Sequence, residues 1–153
     1  QACKFLKTTP TGASGRQRIQ RMLPFAGETD HSHGMRVWRE GASADLRSDW
    51  EAVKVEVMLR ACRAKLLANE HVRLELLETG QATITGAPST SWTGPSGKGH
   101  SWTSWNGKVQ TFLREELRQT AGEPPSDLWV ELRKQFDEYM VAEGGSEHPL
   151  PGD

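Results

Sequence analysis

Between Ser48 and Asn69 the chain reads SDWEAVKVEVMLRACRAKLLAN, and its apolar positions recur every three to four residues. Trp50, Val53, Val57 and Ala61 fall on one stripe, with Met58, Cys62 and Leu66 beside it, which predicts a helix with one buried face. Ser48 with Glu51 makes a capping box at its start, and Glu56 with Arg60 is expected as an exposed pair one turn apart. Asn69 then ends this helix and caps a second, EHVRLELLE, which Gly80 stops. Farther on, Val109, Phe112, Leu113 and Leu117 predict a helix that begins near Gly107 and ends before Gly122. Leu128, Trp129, Leu132, Phe136, Tyr139 and Met140 predict another over 126–143.

The polar stretches separate these elements. Residues 1–5 are expected to continue a helix, and Thr8 to Gly15 to break it with Pro, Gly and Ser. Arg16 to Leu23 reads as a short basic helix stopped by Pro24, and AGETDHSHGM as a polar loop before an apolar patch at Met35, Val37 and Trp38. ATITG, Ala82 to Gly86, carries the one clear strand signal, alternating β-branched residues. Ala87 to Trp105 is rich in Ser, Thr, Gly and Pro, yet holds three tryptophans. The expected class is mainly α with a minor β element, one compact domain over 1–143 and a polar tail over 144–153.

Composition narrows the function classes. With 19 basic and 20 acidic residues and a net charge of -1, the chain does not grip nucleic acid by bulk charge; any polyanion contact would be local. No window approaches a membrane span, and neither an initiating Met nor an apolar leader opens the chain, so Gln1 is expected to fall inside a longer protein. Only Cys3 and Cys62 are present, which argues against a disulfide framework and for an intracellular site, cytoplasmic or nuclear. The oligomeric state is not legible.

The segment from Trp92 to Lys108 holds the candidate chemistry. Trp92, Trp102 and Trp105 offer flat apolar area among small polar residues, a setting suited to stacking a ring, although each could equally fold back over the helices. Asn106 stands where a helix cap is expected. Gly107 and Lys108 behind it would then offer backbone N–H groups and a positive charge to phosphate or ribose oxygens. GPSGKGHS is not a phosphate loop, because Gly99 stands where the magnesium-binding hydroxyl should follow Lys98. His31, His33, His71, His100 and His148 do not recur at zinc-site spacing, so no metal is expected. No base neighbours either cysteine in sequence, and neither is expected to act as a nucleophile.

Taken together, QACKF (1–5), LRSDWEAVKVEVMLRACRAKLLAN (46–69), LLETG (76–80) and WNGKVQTFLREELR (105–118) resemble the NADAR family, also called YbiA-like. Order and spacing match from residue 1 to about 118, leaving the last helix outside. The resemblance implies a compact helical fold and a metal- and cofactor-free N-glycosidase that hydrolyses a ribose–nitrogen bond. The implied substrates are ADP-ribose on guanine, including ADP-ribosylated nucleic acid, or a phosphoribosyl riboflavin-pathway intermediate. Lys4 matches the lysine of the family's first motif and would polarise the ribose or phosphate side. Asp49 matches the acid of its D-W pair, which the resemblance makes a catalytic position, while its place at the helix start favours a plain capping role. Trp92 and Trp105 would stack, with Trp102 beside them; Asn106 would hydrogen-bond, and Gly107 and Lys108 would bind substrate. Two departures stand out: the family's glutamate would fall before Gln1, and Thr90 and Ser91 replace the acid that precedes the loop tryptophan. The alternatives are a module that binds ADP-ribose or single-stranded nucleic acid without turnover, or a helical interaction protein.

Overall fold

The computed structural model describes residues 13–43, 46 and 48–144. The expectations for residues 1–12, Lys4 and Cys3 among them, and for the tail after Gly144 lie outside the described residues. The class is mainly α with one small two-stranded antiparallel sheet, as the periodicity predicted. The chain falls into two compact units, residues 1–50 and 51–153.

In the first unit, α1 (Ala13–Met22) and α2 (Asp30–Ala42) pack together. The segment expected as a loop, from Asp30 to Met35, is the start of α2. Thr29 caps it by accepting from the Ser32 N–H at 3.2 Å, and Asp30 adds negative charge to the first turn, enough to override a polar, glycine-containing stretch. Met22 and Val37 are buried, whereas Met35 and Trp38 are exposed. Around them Arg36 grips Glu28 through Nε at 2.9 Å and Nη2 at 2.6 Å. That grip holds the Glu28 carboxyl down to about 2.

The second unit is built on α3 (Trp50–Ala68), α4 (Glu70–Glu78), α5 (Trp102–Thr120) and α6 (Asp127–Ala142). Val55 and Leu59 of α3, Leu76 of α4, Val109 and Phe112 of α5, and Phe136 of α6 share one core. The single stripe expected for α3 is a correction: Ala52 through Val57 are all buried, including Lys54 and Glu56. The Glu56–Arg60 pair forms, but its carboxylate is inside rather than exposed. Asn69 does precede α4, yet its side chain donates back to the Lys65 carbonyl at 2.7 Å instead of capping forward. Gly80 follows α4 with a φ of 56°, the left-handed stop that glycine permits.

ATITG is not a strand. Among the described residues no strand lies alongside it, and it runs as an irregular segment pressed against α5. A Cβ on Gly107 would stand 2.6 Å from the Ile84 carbonyl oxygen, and one on Gly86 would stand 2.4 Å from the Thr103 oxygen. Two glycines at facing positions therefore let the two backbones meet. The hairpin lies later, inside the stretch expected as a loop: β1 (Ser91–Thr93) pairs with β2 (Gly99–Ser101), Trp92 opposite His100.

Candidate functional site

The hairpin leads straight into α5. Ser101 caps that helix by accepting from the Ser104 N–H at 3.3 Å, so α5 begins at Trp102, five residues before the expected start. Asn106 is consequently not a cap; it sits half-buried in the second turn. Gly107 does not open a helix to a ligand either, because its bare face is spent against Ile84.

Between hairpin, α5 and α6 lies a cavity of about 830 Å³. Trp92, Lys98, His100, Trp105, Lys108 and Tyr139 contribute to its wall, with Glu143 behind them. The aromatic groups brace one another: His100 lies 4.9 Å from Tyr139, and Trp105 lies 5.0 Å from Tyr139 and 5.3 Å from Phe136. Trp105 is thus a buried core ring that presents little free face, a correction to its expected stacking role. Trp102 packs 5.0 Å from Trp92 and against the core, and does not line the cavity. Trp92 is half-buried, with the Lys54 ammonium 3.9 Å over its ring. Of the expected site residues, Trp92, Trp105 and Lys108 converge on the cavity, while Trp102, Asn106 and Gly107 do not. Asp49 is exposed in the turn before α3, within the first unit.

Sequence reasoning missed the charged centre of the wall. Glu143, the C-cap residue of α6, is 2% exposed. Its Oε1 accepts from Ser96 Oγ at 2.6 Å and pairs with His100 Nε2 at 2.8 Å, and its Oε2 accepts from the Ser96 N–H at 3.0 Å. Burial raises the carboxyl, but those three donors outweigh it, so Glu143 titrates below the ordinary carboxylate range. Gly94 makes room for it, since a Cβ there would collide with Oε2. Only the glycines on both sides of Ser96 hinted at so tight a turn.

Two groups at the site are pushed the other way. Burial raises the Tyr139 hydroxyl to about 12, partly offset by the Trp92 indole N–H; the hydroxyl donates to the Glu51 carbonyl at 2.8 Å. Burial and the charge of Lys98 lower the Lys108 ammonium, which lies 4.7 Å over the Trp105 ring. Neither Lys98 nor Lys108 is ion-paired among the described residues. Glu131 acts on Lys108 from a distance, and Glu138 and Glu143 share the wall, but neither ammonium is held in an ion pair, which leaves both able to meet an anionic group. Among the described residues no cluster of His, Cys, Asp and Glu is arranged to hold a metal, and no helix is long and apolar enough to cross a membrane.

Against known proteins, no family model, no curated protein and no solved structure matches this chain.

Proposed function

We propose that the cavity beside the hairpin holds a phosphorylated N-riboside, such as ADP-ribose joined through nitrogen to a base, and that the chain hydrolyses the ribose–nitrogen bond. The observation that carries this reading is the pair of unpaired ammonium groups, Lys98 and Lys108, facing an aromatic-walled cavity of about 830 Å³. The resemblance in the motifs supplies the bond to be broken. In that hydrolysis water adds to the anomeric carbon, the electron pair of the C–N bond departs with the base nitrogen, and that nitrogen takes up a proton. His100, held by Glu143 at 2.8 Å, is the lining group suited to carry the proton. The ionised Glu143 carboxylate behind it favours the positive charge that develops on the sugar.

Incubating the chain with ADP-ribosylated DNA and, separately, with N-ribosylated pyrimidine phosphates should release ADP-ribose or ribosyl phosphate. No product from either substrate counts against the activity. Lys108→Met should weaken binding of the phosphorylated ligand about tenfold or more, because it removes one charge-assisted donor.

A second reading has its own observation. Glu143 is buried and its oxygens are held by Ser96 and His100, which keeps the carboxylate from direct contact with a sugar cation and favours a module that binds the ligand without turnover. Calorimetry with recovery of the ligand separates the two: a ligand that binds and returns intact identifies the module.

A further inference from the structure

The outer face of α6 is exposed among the described residues. Val130, Lys134, Asp137 and Val141 recur there at steps of four, three and four, so they form one stripe along the helix. All four are exposed, Val141 at 83%. Arg133 and Glu138 flank the stripe, and the six side chains line a shallow surface groove. Exposed valines on their own are ordinary. What sets this stripe apart is its order, apolar, basic, acidic, apolar, which is its own complement when reversed.

A twofold axis midway between Gln135 and Phe136 carries Val130 to the level of Val141 and Lys134 to the level of Asp137. Two copies of α6 laid antiparallel along the stripe therefore set valine against valine at both ends, and Lys134 of each against Asp137 of the other in the middle. Steps of four and three are those of a two-helix seam. A parallel pair in register would oppose lysine to lysine and aspartate to aspartate, so the charges select the antiparallel arrangement. Each inner charge also keeps a partner on its own helix, with Arg133 Nε 3.5 Å from Asp137 and Lys134 Nζ 3.8 Å from Glu138. Pairing across the seam thus joins existing ion pairs and buries no lone charge.

We propose that this face of α6 is a self-association surface, on which a second copy of the chain docks antiparallel through Val130, Lys134, Asp137 and Val141. The stripe runs roughly 16 Å, shorter than a permanent dimer uses, and the association is accordingly weak and salt-sensitive.

The test is sedimentation velocity between about 1 μM and about 1 mM chain. The unaltered chain should pass from monomer to dimer across that range, and added salt should move the transition to higher concentration. Lys134→Asp and Asp137→Lys should each weaken self-association about tenfold or more, because each sets like charges face to face. An equimolar mixture of the two variants should associate again, since every charge in the seam of one then meets its opposite on the other. Both positions are more than half exposed, so the urea midpoint of each variant should stay close to that of the parent. A chain that is monomeric at every concentration overturns the proposal. So does self-association that survives either substitution, or a mixture of the folded variants that stays monomeric.

Discussion

Two buried charge clusters sit at opposite ends of the α5–α6 pair, and they hold different segments in place. At the C-terminal end of α6, Glu143 is a carboxylate surrounded by donors: Ser96 twice and His100 once. At the N-terminal end, Glu115 accepts from Arg114 at 3.1 Å, Arg118 at 3.0 Å and the Ser126 hydroxyl at 3.0 Å, and the arginines also hold the Gly80 and Ala82 carbonyls. The first cluster clamps the hairpin turn to the last helix; the second clamps the irregular segment to α5. Burying charge is tolerable where each charge finds partners, so both clusters anchor the fold, and the first also lies on the wall of the cavity.

The largest effect should come from breaking the first cluster. Glu143→Leu strands the His100 ring nitrogen and both Ser96 donors, and should cost about 3 kcal/mol, measured as a fall in the urea midpoint at unchanged slope. This is the low end for a buried pair, because the cover is a single turn of chain. Gly94→Ala attacks the same anchor by crowding. With the new methyl directed at the Glu143 carboxylate, a loss of about 2 kcal/mol is expected. A variant as stable as the parent would mean that the turn does not rest on Glu143.

Acid sharpens the comparison further. The Glu143 carboxyl is lowered from an ordinary 4.5, so its contribution is complete above that value and fades as pH falls through the lowered one. Glu143→Gln removes the titration. The stability gap between the two proteins should therefore hold from neutrality down to the ordinary carboxylate range and narrow only below it, and a gap that stays constant into acid would contradict the assignment. Tyr139 works from the alkaline side: its hydroxyl is raised to about 12, so the neutral form contributes below the ordinary phenol value and is lost as pH climbs through about 12.

The helices were legible because their signals are local. The last helix begins at the expected place, with Ser126 as its cap, and Leu132, Phe136, Tyr139 and Met140 of its predicted face are buried, whereas Leu128 is exposed. Where position depended on distant partners, the reading failed. Thr29 and Ser101 start helices earlier than the apolar pattern does, because hydroxyl caps need no hydrophobic neighbour. ATITG has strand composition but, among the described residues, no strand to pair with, and its Ala82 carbonyl instead accepts from Arg114, 32 residues away. Trp92, Trp105 and Lys108 reached the cavity as expected, since they lie on the hairpin and the first turns of α5. Glu143 and Arg114 escaped notice for the opposite reason. A glutamate before two glycines and an arginine in a charged helical run look solvent-facing until Ser96, 47 residues away, and Thr79, 35 residues away, are brought to them.

The smallest effect tests whether the second cluster is an anchor in its own right. Ser126 Oγ accepts from the Trp129 N–H at 3.1 Å as the cap of α6, and also donates to Glu115 Oε2 at 3.0 Å. Ser126→Ala removes both bonds. Loss of a cap alone costs about 1 kcal/mol; stripping a donor from a buried carboxylate adds to that, although Arg114 and Arg118 still hold the other oxygen. Ser126→Asp separates the contributions. It restores the cap, because a carboxylate accepts from the helix N–H as well as a hydroxyl does, but it sets like charge against Glu115. If Ser126 serves only as a cap, Ser126→Asp should match the parent in urea denaturation. If it also closes the cluster, Ser126→Asp should be no more stable than Ser126→Ala.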